Sequence, residues 1–146
     1  MNMVNKVAID TNILLDLLIK DRPGNAMAKT IFAAAENGMF KAQITTQSIM
    51  DAAYSSRKSG LSFEKFTDIL SHLRVFVEIQ AIDWIDLSWA TAHYSGDFED
   101  DAQYANAYNS VCDFFITRDK KLMELNNKFN PMTVISPENF VAAMKA

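Results

Sequence analysis

The chain has 146 residues, a formal net charge of −4 at pH 7 and 49% hydrophobic residues. This length predicts a single domain, residues 1–146, which is large enough to bury one hydrophobic core. The acidic balance argues against a protein that coats nucleic acid through a broad basic surface. It does not exclude a nuclease, because carboxylates that hold metal ions make such a site acidic.

The sequence predicts a soluble, cytoplasmic protein. Its lone cysteine, Cys112, cannot form an internal disulfide, which favours a reducing compartment. Residues 1–6 contain no apolar stretch of signal-peptide length. The best apolar stretch, Ile13 to Ile19, is interrupted by Asp16 and is too short to span a bilayer. We therefore expect no membrane association.

Strand-like and helix-like segments alternate through the N-terminal half. In chain order these are a strand at Lys6 to Asp10, helices at Asn12 to Lys20 and about Ala26 to Glu36, a strand at Lys41 to Thr45, a helix at Gln47 to Arg57, and a helix that starts at Ser62. Thr11 or Asn12 is the expected cap of the first helix, and Asn37-Gly38 is the expected end of the second.

The alternation continues through the C-terminal half. The segments are an edge strand at Phe76 to Ala81, helices at Trp84 to Tyr94 and Phe98 to Val111, strands at Phe114 to Thr117 and Thr133 to Ile135, and a helix from Pro137 to Met144. The order β-α-α-β-α-α-β-α-α-β-α-β-α predicts an α/β fold. We expect a mainly parallel sheet of about five strands between two helical layers, a three-layer α/β/α sandwich.

Acidic residues are concentrated where this fold gathers functional groups. Four carboxylates lie within five residues, at Asp97, Glu99, Asp100 and Asp101. They repel one another, and a hard cation such as Mg²⁺ or Mn²⁺ gives a reason to gather them. Two other aspartates lie at predicted strand ends: Asp10 ends the first strand, and Asp119 is two residues beyond Thr117. The carboxyl ends of these strands meet at one edge of a parallel sheet. The pattern predicts a metal-dependent site for phosphoryl transfer.

Two stretches of the chain resemble the PIN-domain nucleases. The first is Asp10-Thr11-Asn12 after the first strand, and the second combines Asp97 to Tyr104 with Cys112 to Asp119. The resemblance implies a PIN-like α/β/α domain and a Mg²⁺- or Mn²⁺-dependent endoribonuclease that hydrolyses RNA phosphodiester bonds. Bacterial members of the family include the toxins of VapBC-type toxin–antitoxin pairs. The resemblance therefore also implies an RNA substrate, an antitoxin partner and a homodimer. Candidate residues for the dimer interface are Phe63, Phe66, Trp84 and Trp89.

The resemblance assigns the metal-binding and catalytic positions to Asp10, Asp100 and Asp119. The family usually has a glutamate on the helix after the second strand, and Asp51 stands there in this chain. Because aspartate is one methylene shorter, we expect Asp51 to reach a cation through a bound water. Asp97, three residues before Asp100, is an additional candidate ligand. Residues that could orient the carboxylates or a phosphate are Thr11, Asn12, Thr117 and Arg118.

Each acid also has a purely structural interpretation. Asp10 suits a helix cap, Asp97 to Asp100 suit the first turn of a helix, and a mid-helix Asp51 is usually solvated. An alternative function follows from the Asp51 departure: a catalytically weak PIN-like module that binds RNA or protein. Asp-based phosphatases fit less well, since Asn12 occupies the place of their second aspartate.

Overall fold

The computed structural model describes residues 5–126, 128 and 131–145. Its five strands are β1 Lys6–Ile9, β2 Lys41–Thr45, β3 Val77–Gln80, β4 Phe114–Ile116 and β5 Thr133–Ile135. The helices found in the described ranges are α1 Thr11–Leu18, α2 Asn25–Glu36, α3 Thr46–Lys58, α4 Phe63–Leu73, α5 Trp84–Ala92, α6 Phe98–Asn109, α7 Lys120–Met123 and α8 Pro137–Lys145. The element order is the predicted one.

All strand pairs in the sheet are parallel, in the order β3-β2-β1-β4-β5. β1 lies at the centre, with Ile9 in register with Ile116 of β4. Each of the first four strands is followed by a crossover to the next, and this connectivity explains why the sheet is parallel. The carboxyl ends of β1 and β4 therefore lie side by side, which places residues 10 and 117–119 at one edge.

Two hydrophobic cores lie on opposite faces of the sheet. The larger contains side chains of α1 to α4 and α8, and the smaller contains side chains of α6 and α7 with Trp89 of α5 packed against it. Within β1, Val7 and Ile9 join the larger core while Ala8 joins the smaller. Burial on both faces explains why the central strands are continuous apolar runs. The predicted three-layer α/β/α sandwich is confirmed.

The ends of several helices follow the expected capping chemistry. The Ser62 hydroxyl accepts a hydrogen bond from the Lys65 amide at the start of α4. Gly38, with φ of +80°, follows the end of α2 as predicted. Thr11 or Asn12 as the cap of α1 was wrong, whereas the interpretation of Asp10 as a helix cap is confirmed: its carboxylate accepts from the Thr11 amide at 2.7 Å. The strand is correspondingly one residue shorter than predicted.

Within the described part of the chain, every helix is too short or too polar to cross a bilayer.

Candidate active site

Thr117 joins the ends of β1 and β4. Its hydroxyl donates to Asp10 Oδ2 at 2.7 Å and accepts from the Asp119 amide at 3.0 Å. The side chain is fully buried, so this hydroxyl has a fixed environment. Thr117 therefore holds Asp10 and the backbone of Asp119 at a common edge, as their positions after parallel strands predict.

Asp10 is a buried carboxyl that accepts hydrogen bonds from two small neutral groups. It is 5% exposed, and its donors are the Thr11 amide and the Thr117 hydroxyl. Burial raises the pKa of Asp10 above its usual range, although both hydrogen bonds lower it. The nearby charges of Asp119 and Asp97 raise it further. The position is costly for an anion unless a cation approaches.

The first turn of α6 brings further carboxyls to this edge. Asp97 caps the helix by accepting from the Asp100 amide at 3.0 Å. Burial, followed by a hydrogen bond with Asp119 and repulsion from Asp10, raises the pKa of Asp100 to about 8. The nearby Asp119 carboxyl therefore favours the neutral form of Asp100.

A second carboxyl pair, Glu99 and Asp51, lies next to the first. Their side chains share a hydrogen bond, which is the main cause that raises the pKa of Glu99 to about 7. Gln47 Nε2 also donates to Asp51 Oδ1 at 3.1 Å. Repulsion from Asp97 and Asp10 acts on Glu99 as well, so both pairs belong to one electrostatic cluster.

Glu99 was missed as a site residue by the sequence analysis. The sequence placed it in the acidic cluster that suggests a cation, but the family pattern has no glutamate to transfer there. The sequence did contain a signal for Glu99. The glutamate side chain, two residues after the cap of α6, is longer than the aspartate side chain of Asp51 on α3. The shortened carboxylate of α3 is thus accompanied by a longer one from α6.

Several predicted positions lie outside this cluster. Asp101, the acid next to Asp100, is buried and accepts from the Ser95 amide at 2.8 Å and from its hydroxyl at 2.7 Å. Asn12 is exposed on α1. Arg118, predicted to orient a phosphate, has its guanidinium engaged by Asp16 of α1 and 3.6 Å from Glu138 Oε1 of α8.

The Thr11 hydroxyl belongs to a buried polar link behind the site. It shares a hydrogen bond of 2.7 Å with the Ser48 hydroxyl of α3, which also accepts from Gln103 Nε2 of α6 at 3.1 Å. Gln103 Oε1 in turn accepts from the Thr45 hydroxyl at 2.9 Å. These bonds fix α1, α3 and α6 relative to one another. Thr11 therefore supports the helices that carry the acids.

The donor set fits a hard divalent cation by its chemistry. Carboxylate oxygens are the ligands that Mg²⁺ and Mn²⁺ prefer, and a cation would relieve the repulsion that raises these pKa values. Within the residues that the structure describes, no three such side chains are arranged to hold an ion as they stand.

Comparison with known proteins gives the family. A model described as "PIN domain" matches residues 6–121. The chain belongs to the PIN-domain family. No curated protein sequence matches it.

Two solved structures share the PIN-domain architecture. One is a toxin–antitoxin complex from Klebsiella pneumoniae, with 20% sequence identity, a TM-score of 0.64, and coverage of 90% of this chain and 97% of that chain. The other is Mycobacterium tuberculosis VapC20, described as a sarcin–ricin loop cleaving toxin. It has 10% identity, a TM-score of 0.67, and coverage of 87% and 98% respectively. At these identities, the likeness establishes the fold.

Proposed function

We propose that this PIN-domain protein is a Mg²⁺- or Mn²⁺-dependent endoribonuclease that acts as the toxin of a toxin–antitoxin pair. The observation that carries the proposal is the convergence of Asp10, Asp100 and Asp119 from three separate elements on one sheet edge. Family membership supports nuclease activity. The toxin assignment and the RNA substrate are supported by the fold shared with VapC20.

Asp10, Asp100 and Asp119 are the residues proposed to hold the cation. When bound, a divalent cation ionises a water molecule and neutralises charge on the phosphate oxygens. Asp97 caps the helix that presents Asp100 and is close enough to raise the pKa of both Asp10 and Asp100. Its proposed role is mainly to position α6.

The remaining acids are proposed to act on the cation indirectly. Asp51 is bonded to Gln47 and Glu99, so we expect it to reach a cation through water. Glu99 supplies the longer arm at the same place. Thr117 orients Asp10 and the Asp119 backbone, and its substitution is expected to disturb both acids together.

Two partners are proposed with the toxin role. An antitoxin segment that presents an arginine to the acidic edge would neutralise the uncompensated carboxylates. A homodimer is supported by the exposed aromatic side chains of Trp84 and Phe63. Of the other predicted interface residues, Phe66 is buried in the core and Trp89 stacks on His93 at 4.2 Å. Phe66 therefore cannot contribute to a dimer surface.

The second candidate function is a catalytically weak PIN-like module that binds RNA or protein. Two features favour this weak module: Asp51 stands in place of the family's glutamate, and the site's carboxyls are paired with one another. The proximity of Glu99 to Asp51 counts against it, since the α3 carboxylate does not stand alone.

Incubation with a mixed RNA pool separates the two functions. The wild-type protein should cleave RNA with Mn²⁺ or Mg²⁺ and lose this activity in chelator. Asp10→Asn should remain folded and bind RNA without cleaving it. Cleavage that persists equally in chelator and in Asp10→Asn would show that a contaminant is responsible and would overturn the proposal.

A further inference from the structure

A cleft opens directly beside the Glu99 and Asp51 pair. It has a volume of about 410 Å³, and its lining includes Thr46, Gln47, Ile82, Leu87, Phe98 and Glu99. Sites for small organic ligands commonly have volumes of about 300–1,000 Å³ and combine apolar walls with a few polar groups. This cleft has that composition, since apolar side chains of α5 and the preceding loop face polar side chains of α3 and α6.

We propose that the cleft binds one nucleobase of single-stranded RNA next to the scissile phosphate. The inference rests on the proposed ribonuclease function and adds a base-recognition site to it. Phe98, the first residue of α6, is 44% exposed although it lines the cleft. Aromatic side chains in this situation stack on unpaired bases in proteins that recognise single-stranded RNA.

The cleft is continuous with the carboxylate cluster. Glu99 and Gln47 line it, and Gln47 Nε2 donates a hydrogen bond to Asp51 Oδ1. Phe98 lies between Asp97 and Glu99 in the chain. A base stacked on Phe98 therefore places its own backbone at the acidic edge. The cleft therefore suits a nucleotide, whose ring would lie inside the cleft and whose anionic phosphate would lie outside it.

The polar lining favours guanine. Gln47 Nε2 is engaged with Asp51, which leaves its Oε1 to accept a hydrogen bond from a ligand. The Glu99 carboxyl has two oxygens, so contact with Asp51 leaves a second one as an acceptor. Guanine offers adjacent N–H donors at N1 and N2, whereas uracil offers one N–H between two carbonyl oxygens. Uracil would place its carbonyls against these acceptors.

Sequencing the ends of the products from a random-sequence RNA tests this inference. With wild-type protein and Mn²⁺, guanine should be enriched and uracil depleted at one fixed position next to the cut. Gln47→Ala should reduce this preference. Phe98→Ala should also reduce cleavage, whereas Phe98→Tyr, which retains a stacking ring, should restore both rate and preference. Enrichment of uracil, or a preference unchanged in both alanine variants, would overturn the proposal.

Binding provides a second measurement that needs no catalysis. Anisotropy of a labelled single-stranded RNA in chelator should show a Kd about 5- to 150-fold higher for Phe98→Ala, the range produced by the loss of one stacked base. Tyr54→Ala is the control, because Tyr54 is a 68% exposed aromatic residue on α3 that is not part of the cleft lining. Equal losses in both variants would contradict a specific role for Phe98.

Three results distinguish an error in the base site from an error in the ribonuclease function. If the wild-type protein cleaves RNA but Phe98→Ala binds and cleaves like wild type, only the base site is overturned. If Phe98→Ala changes the oligomeric state and leaves RNA binding intact, the cleft is a protein interface and the base site is also overturned. If the wild-type protein neither binds nor cleaves RNA, the ribonuclease function fails and the base site fails with it.

Discussion

Two aspartates near the ends of α1 are equally buried but have different partners. Asp10 and Asp16 are 5% and 3% exposed. The Asp10 carboxylate accepts from a hydroxyl and a backbone amide, whereas Asp16 is engaged by the guanidiniums of Arg22, at 2.8 Å, and Arg118. A buried charge that is compensated within the protein has a structural explanation. One that lacks cationic compensation and has like charges around it is a candidate for function.

Replacing an acid of the carboxylate edge should have the largest effect on activity. We expect Asp10→Asn or Asp100→Asn to lower RNA cleavage by about 100-fold or more, because each removes a proposed cation ligand. Thermal stability should stay unchanged or rise, since the substitution removes a poorly compensated charge. Cleavage rates and melting curves of the same preparations provide the measurement. A loss of activity accompanied by unfolding would make these residues structural.

Replacing the compensated aspartate should reverse this pattern. Asp16→Asn weakens two ion pairs, and we expect it to lower the free energy of unfolding by about 1–3 kcal/mol, a value that allows for partly exposed arginines. Cleavage by the fraction that remains folded should be close to wild type. Denaturant unfolding measures the difference, and the exposed Asp21→Asn on the following turn is the control. Asp101 is unsuitable as a control, because it is buried and bonded to Ser95.

The turn after α1 adds a steric test of the same ion pair. A Cβ at Gly24 would overlap Asp16 Oδ2 and the Arg118 guanidinium. Gly24→Ala is therefore expected to destabilise the fold by about 1–3 kcal/mol. In an Asp16→Ala background the added penalty should be much smaller, and a double-mutant cycle measures this coupling. Additive effects would show that Gly24 is required for another reason.

Asp51 should have a smaller effect than the principal acids. We expect Asp51→Asn to reduce cleavage by about tenfold, because it acts through water and alongside Glu99. Asp51→Glu should preserve or raise activity by restoring the longer reach. A steady-state comparison with Asp10→Asn measures the ranking. An Asp51→Asn variant as inactive as Asp10→Asn would place Asp51 among the direct ligands.

The pH dependence of stability should be a modest effect. The folded protein holds protons at Glu99 and Asp100 with pKa values of about 7 and about 8, above those of unfolded carboxyls near 4. Their contribution to stability is complete below about pH 4 and is lost as the pH rises through 7 to 8. In chelator, the melting temperature should fall more steeply over this range for wild type than for Asp100→Asn. Added Mg²⁺ should reduce the difference.

The strand ends were predictable because the parallel sheet dictates where they meet. Val7 to Ile9 and Phe114 to Ile116 are apolar runs that need burial on both faces, so the residues after them had to share an edge. Asp10, Thr117 and Asp119 follow from that rule. The sheet edge was thus the most predictable part of the candidate site.

Side-chain partners across the fold were not predictable in the same way. The engagement of Arg118 by Asp16 depends on the turn through Gly24, and the contact of Glu99 with Asp51 depends on how α3 lies against α6. The sequence places Arg118 beside a catalytic position and Glu99 within a helix first turn. Its spacing carries no information on which neighbouring helix meets each side chain.

Calorimetric titration with Mn²⁺ tests the contrast between the two aspartates most directly. We predict that the wild-type protein binds Mn²⁺, that Asp10→Asn loses this binding, and that Asp16→Asn, measured where it is fully folded, retains it. Equal binding by the wild-type protein and Asp10→Asn, or no binding by the wild-type protein, would contradict a cation site at the carboxylate edge.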